Sequence, residues 1–192
     1  MLRLACLQSV YAELDNCLVV TIMGAVAAEL YSLGHRSNFF YLQHAMGLAS
    51  STGLGLALCL PQQKVIVFDG DGSLLMNLGS LSTIGRYRPE NLVHIVFDNE
   101  SLLSVGGFPT ATSTGTNLEG IARAAGIPRV VAVRSVEGFK AAVTDAVHGH
   151  EMTTIIAKVE AKGPTAYVTD LSLLENRFQF RRHIQSLKNA NE

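Results

Sequence analysis

Charge is scarce in this chain. Only 16% of its 192 residues are Asp, Glu, Lys or Arg, and 15 basic residues nearly balance 16 acidic ones. That composition offers no basic footprint for nucleic acid and no cationic face for an anionic membrane. Cysteine is as sparse: Cys6, Cys17 and Cys59 are odd in number and show no Cys-x-x-Cys spacing. A disulfide scaffold and a cysteine-ligated metal or iron–sulfur centre are thereby excluded, and buried free thiols in a reducing cytoplasm are expected. The first residues, Met1 to Cys6, lack a long apolar run and soon meet Glu13 and Asp15. They predict an amphipathic helix with Leu4, Leu7, Val10, Tyr11 and Leu14 on one face, not a signal peptide. Ala45 to Gln63 holds no formal charge, but it is rich in Gly and Ser and contains Pro61. A buried helix is expected there, not a membrane span.

Apolar residues are abundant, at 48% of the chain. Two arrangements absorb such an excess: a sheet covered on both faces, or a surface buried against a partner. The length suits one large domain with a substantial core. Strand patterns at Cys17–Met23, Val65–Phe68, Leu92–Phe97, Val130–Val133 and Thr153–Val159 alternate with helical patterns. The helices are expected at Ala25–Leu33, Met46–Leu60, Leu74–Arg86, Asn117–Ala125 and Ser135–His148, and near Glu175–Lys188. Alternation without hairpin signals predicts an α/β fold, a three-layer α/β/α sandwich around a mostly parallel central sheet. Residues 1–163 form the expected domain, and residues 164–192 a more polar tail with a short helix packed on the domain or on a partner. Gly53 and Gly55 weaken the Met46–Leu60 helix. They would let its backbone approach a neighbour closely, at an interface or a cofactor. Ser104–Thr116, rich in Gly, Ser and Thr, reads as a loop.

Two segments carry the chemistry. Gly70-Asp71-Gly72-Ser73 leaves the strand Val65–Phe68 and opens a helix. Glycines in such a turn let backbone approach a ligand, and the free amides suit a phosphate. Asp98-Asn99-Glu100-Ser101 leaves the next strand in the corresponding place. Each taken alone is also a plain turn: a helix cap at Asp71, an Asx turn at Asn99. Together, two parallel strands deliver a carboxylate and a carboxamide to one sheet edge, hard oxygen ligands for magnesium on a diphosphate. His94, inside an apolar strand, reads as a satisfied core residue. His148 and His150 end a helix and read as solvated, and His183 falls on a polar helix face.

The pairing of these segments, with Phe40-Tyr41, Ala45-Met46-Gly47-Leu48-Ala49, Leu74-Leu75-Met76-Asn77, Gly106-Gly107, Pro109-Thr110 and Glu175-Asn176-Arg177-Phe178, resembles the diphosphate-binding domain of thiamine-diphosphate-dependent 2-oxoacid decarboxylases. The likeness is strongest to the sulfopyruvate and phosphonopyruvate branch and runs from about Val19 to Phe180. It implies thiamine diphosphate and Mg2+ as cofactors. Asp71, Asn99 and the backbone carbonyl of Ser101 would bind the metal. Gly70, Gly72 and Ser73, with amides near Leu102 and Leu103, would hold the diphosphate. Met46 would wedge beneath the cofactor, the His44 carbonyl would meet the aminopyrimidine, and Gly24 would lie near the diphosphate. On the residues alone Met46 reads as an ordinary core methionine.

Three positions depart from the family pattern. His44 stands where the family usually has Gly, and its imidazole either enters the active site as an acid–base group or fills space. Gly24–Glu29 lacks the usual Arg, and Phe108 replaces a Gln, so a sulfonate or phosphonate substrate finds no cation on those segments. The resemblance implies decarboxylation of a small 2-oxoacid, with the catalytic Glu on a pyrimidine-binding α-type partner chain, most simply as α2β2. An isolated chain has the same surface for pairing with itself as a homodimer. Two other readings stand beside this one. The first is a subunit of a thiamine-dependent 2-oxoacid oxidoreductase, against which the short length and unclustered cysteines argue. The second is a non-catalytic, cofactor-binding regulatory subunit.

Overall fold

Apolar runs rich in β-branched residues form the sheet, and small-residue or amphipathic segments cover it. The computed structural model describes residues 1–164, 167 and 169–189. Its elements follow in chain order: α1 (Arg3–Val10), β1 (Cys17–Thr21), α2 (Ala25–Ser32), β2 (Phe39–Tyr41), α3 (Ala49–Cys59), β3 (Lys64–Gly70), α4 (Asp71–Met76), α5 (Gly79–Tyr87), β4 (Leu92–Asp98), β5 (Ser101–Leu102), β6 (Phe108–Pro109), α6 (Leu118–Ala124), β7 (Arg129–Val133), α7 (Val136–His148), β8 (Thr153–Lys158) and α8 (Leu173–Asn189). Six strands make one sheet in the order β2-β1-β3-β4-β8-β7, every neighbour parallel. Helices α1, α2 and α7 pack on one face and α3 and α5 on the other, with α6 reaching α5 where Ala125 abuts Gly85. The expected three-layer α/β sandwich is therefore present.

Burial on both faces explains the apolar excess. All residues of β1 and β4 are buried. Phe68, Phe97 and Phe139 stack in series with ring centroids 5.8 and 5.7 Å apart, joining the sheet to α7. Each such ring withdrawn from water contributes about 1.5–3 kcal/mol. Gly53 explains the small-residue helix. A Cβ there would lie 2.0 Å from Val67 Cγ2, so α3 rests its backbone on β3. The close approach is made to the chain's own sheet, and Gly55 faces open space.

Several boundaries differ from expectation. The chain at Phe39–Tyr41, not read as a strand, forms the edge of the sheet. Asn176 on α8 completes that edge: its Oδ1 accepts from the Tyr41 amide at 3.0 Å and its Nδ2 donates to the Phe39 carbonyl at 2.8 Å. Phe180 stacks on Phe40, so α8 covers an edge otherwise open to pairing. The expected Leu74–Arg86 helix is two helices, because Asn77 turns back to bond the Gly47 carbonyl. The helix expected from Met46 begins at Ala49, since Gly47 has φ +85°, outside the helical range. The 104–116 loop holds β6, which pairs antiparallel with β5 just ahead of the loop. Cys59 is exposed where a buried thiol was expected. Cys6 and Cys17 are buried, and burial pushes both thiols up to about 11. On α1 the buried side is Arg3, Cys6, Leu7 and Val10, displaced from the expected stripe because Arg3 finds a buried partner. Of the 164–192 tail, Thr165, Ala166, Val168 and 190–192 lie outside the described residues. No helix among the described residues is long and apolar enough to cross a membrane.

Candidate functional site

The strand order places a switch point at β1. The chain leaves β1 for β2 on one side and returns through α3 to β3 on the other. Ligands of open parallel sheets bind in the crevice outside the carboxyl ends at such a point. A cleft lies there, walled by Ile22 and Met23 after β1, Gly70–Ser73 after β3, and Phe97 and Asn99 at β4, with Ser101–Val105 closing one side. Met46 also lines it. At about 180 Å³ it is smaller than the ~300–1,000 Å³ pockets that enclose whole drug-sized ligands, so it suits one end of a cofactor.

Of the residues expected at the site, this cleft brings together Met46, Gly70, Asp71, Gly72, Ser73, Asn99, Ser101, Leu102 and Leu103. Gly24 and His44 line a separate small cavity with Gln43, Tyr167 and Thr169, joined to the first by Met23 in both walls. His44 has φ +57°. That left-handed backbone explains why Gly suits this position and why His is accommodated with strain. Its side chain is exposed, so the space-filling reading gives way to an imidazole at a cavity mouth.

Asp71 is held in advance. Thr110 Oγ1 donates to Asp71 Oδ2 at 2.6 Å, and Thr112 Oγ1 donates to the same atom at 3.2 Å. Neither hydroxyl engages Oδ1, which stays available to a cation. Burial pushes the Asp71 carboxyl above its ordinary value; the Thr110 hydrogen bond opposes this and the charge of Asp98 adds to it. A buried carboxylate crowded by another is a group that gains from a cation. The single Thr112 hydroxyl proton is shared between Asp71 and Asp98, whose Oδ1 is the nearer acceptor at 2.8 Å. Lys158 Nζ lies 2.6 Å from Asp98 Oδ2 and 2.7 Å from Glu100 Oε1. Thr110, Thr112, Asp98 and Lys158 thus tie the two ligand turns into one network. Pro109-Thr110 belongs to the pattern behind the resemblance, but nothing local marks Thr110 for this contact or Lys158 for the network.

The plain turn at Asn99 is real: its Oδ1 accepts from the Ser101 amide at 3.1 Å, and Glu100 follows at φ +60°. A carboxamide oxygen has a second lone pair, so the turn orients it without using it up. The carbonyls of Glu100 and Leu102 accept the hairpin's Thr110 and Gly107 amides, while Pro109, opposite Ser101, has no N–H to give. The Ser101 carbonyl is left for another ligand. Ser73 Oγ accepts from the Gly47 amide at 3.1 Å, and Asn77 Nδ2 donates to the Gly47 carbonyl at 3.0 Å. These bonds lock the turn carrying Met46 to α4. A methyl on Gly72 would lie 2.3 Å from Leu102 Cδ2, so glycine there keeps Leu102 in the cleft wall. These donors suit a hard divalent cation with a diphosphate.

His94 departs from the satisfied core residue expected of it. Neither ring nitrogen has a hydrogen-bond partner. Nε2 sits 3.5 Å from Asp69 Oδ2, both side chains fully buried, and Asp69 Oδ1 accepts from the Gly70 amide at 2.9 Å.

An open parallel α/β fold with a cleft at its switch point that gathers a few oxygen donors in an apolar wall defines the class of protein. The comparisons narrow it. The model of the thiamine pyrophosphate enzyme C-terminal TPP-binding domain matches residues 20–157, and the chain belongs to that family. It is 45% identical over 141 residues to sulfopyruvate decarboxylase subunit beta of Methanocaldococcus jannaschii, covering 73% of this chain and 74% of the relative. It is 43% identical over 145 residues to phosphonopyruvate decarboxylase of Streptomyces viridochromogenes, covering 75% of this chain but 36% of that longer protein. Among solved structures, benzoylformate decarboxylase from Polynucleobacter necessarius shares the fold at a TM-score of 0.68 and 15% identity, over 85% of this chain and 34% of that one.

Proposed function

We propose that this chain is the β-type, diphosphate- and magnesium-binding half of a thiamine-diphosphate-dependent 2-oxoacid decarboxylase of the sulfopyruvate and phosphonopyruvate type. The observation that carries the reading is the convergence of Asp71, Asn99 and Ser101 on one cleft, inside the family-matched region. Asp71, Asn99 and the Ser101 carbonyl hold Mg2+. Gly70, Gly72 and Ser73, with amides near Leu102 and Leu103, hold the diphosphate. Met46, locked by Ser73 and Asn77, supports the cofactor from the cleft wall, and Gly24 and the His44 carbonyl meet it from the adjoining cavity. When bound, thiamine diphosphate supplies the electron sink for loss of carbon dioxide. The chain's own work is to fix the metal and exclude water.

The cofactor's activating Glu is assigned to a pyrimidine-binding partner chain, most simply in a cytoplasmic α2β2 assembly. Residues 1–163 are the cofactor-binding unit and 164–192 its tail. Exposed apolar side chains support a partner. Val105 lines the cleft, Met76 lies beside Gly47, and Phe108 lies beside Gly106. Met76 and Phe108 are each 65% exposed, large apolar side chains of the kind an interaction surface uses. Calorimetry with thiamine diphosphate and Mg2+ tests the site: Asp71→Ala is expected to weaken binding by ~10-fold or more, and binding indifferent to Asp71 would reject it.

A further inference from the structure

Apart from Asp71, one charged side chain lines the cleft, and it comes from outside the family-matched region: Arg3, on α1. Arg3 and Glu29 are each 5% exposed. Arg3 Nε donates to Glu29 Oε2 at 2.8 Å, and Nη2 donates to Glu29 Oε1 at 2.9 Å and to the Lys162 carbonyl at 3.3 Å. Nη1 has no acceptor among the described residues. Glu29 is not part of the cleft wall. The pair therefore stands with its positive end toward the cleft and its negative end away from it.

We infer that Arg3 is an anion-binding residue of this cleft, its Nη1 edge meeting a diphosphate oxygen. The inference rests on the diphosphate reading of the cleft. A diphosphate ester brings more negative charge than one magnesium ion cancels, and Asp71 adds another. In a largely apolar cleft the remainder calls for a cation. The guanidinium is fixed by its fork to Glu29 before any ligand arrives, so little side-chain freedom remains to be lost on binding. Ala25 and Val26, the first turn of α2, share the cleft wall with it.

The test measures binding of inorganic pyrophosphate with Mg2+ to the full chain by calorimetry, beside circular dichroism to verify folding. Arg3→Met is expected to weaken pyrophosphate ~10-fold or more, and Arg3→Lys, which keeps a cation but not the planar fork to Glu29, to weaken it less. A folded Arg3→Met variant that binds as tightly as wild type overturns the role of Arg3 alone, provided binding still depends on Asp71. No Mg2+-dependent binding by wild type overturns the diphosphate reading, and the inference falls with it. If Arg3→Met does not fold, the Arg3 side-chain NMR resonances of the wild-type chain decide. They are expected to shift on pyrophosphate saturation, and unmoved resonances overturn the assignment.

Discussion

Lys158 shows what a single side chain does at this site without touching it. Its ammonium joins Asp98 and Glu100 at the end of β8, and Asp98 begins the turn that carries Asn99. Burial alone would lower the lysine's proton affinity, but the hydrogen bonds and charges of Asp98 and Glu100 outweigh it and raise the pKa above the ordinary 10.5. Folding thus strengthens this group's hold on its proton. Its stabilising contribution is complete below pH 10.5 and is lost as the pH rises through the folded value. Lys158→Met is expected to cost roughly 2–3 kcal/mol, since it strands the buried Asp98 carboxylate. Urea unfolding at pH 7 measures the gap, and repeating it at rising alkaline pH checks the narrowing between variant and wild type. A gap independent of pH would remove Lys158 from the network. Asp71 carries the opposite conflict, a carboxylate raised by burial. Its charged form destabilises the fold at neutral pH and is relieved as the pH falls. Asp71→Asn is expected to raise the melting temperature of the ligand-free chain while abolishing the stabilisation that Mg2+ and thiamine diphosphate give wild type.

At the scale of elements, α8 is the piece whose purpose local pattern does not reveal. Its length and polar face are readable from Glu175 to Lys188, but the buried Asn176 makes sense only beside β2. That strand has three residues and one covered edge, so the two Asn176 hydrogen bonds are a large share of its pairing. Asn176→Ala is expected to cost about 1–3 kcal/mol and to raise aggregation on mild heating, as light scattering would show. The same reasoning explains which boundaries were legible. β1, β3, β4 and β8 have long apolar centres in the sheet's middle, and they stand within two residues of where the sequence placed them. β2 is short and its signal overlaps a turn. The break between α4 and α5 depends on Asn77 finding the Gly47 carbonyl, a partner far away in the chain.

For the whole molecule, the cleft is shallow and its rim is apolar. Val105 in the cleft wall and Phe108 and Met76 in the neighbouring turns are among the exposed large hydrophobic side chains. Significant turnover of sulfopyruvate, phosphonopyruvate or another small 2-oxoacid is expected only when this chain is mixed with a pyrimidine-binding partner. A coupled aldehyde assay on the purified single chain checks this, and robust turnover there would remove the two-chain proposal. Size-exclusion chromatography separates self-pairing from a mixed assembly.

The sequence by itself determined the alternation of strands and helices, the two turns bearing Asp71 and Asn99, and their arrival at one edge. Those follow from local periodicity and from parallel neighbours sharing a carboxyl end. Tertiary structure alone decided that Thr110 and Thr112 would grip Asp71 and that Asn176 would cap β2. It also decided that Arg3, off the apolar face expected of its amphipathic helix, would be buried against Glu29 at the cleft. Each of these is a contact between residues distant in the chain. A buried polar group is stable only where the fold brings it a partner, and that partner leaves no periodic trace in the sequence.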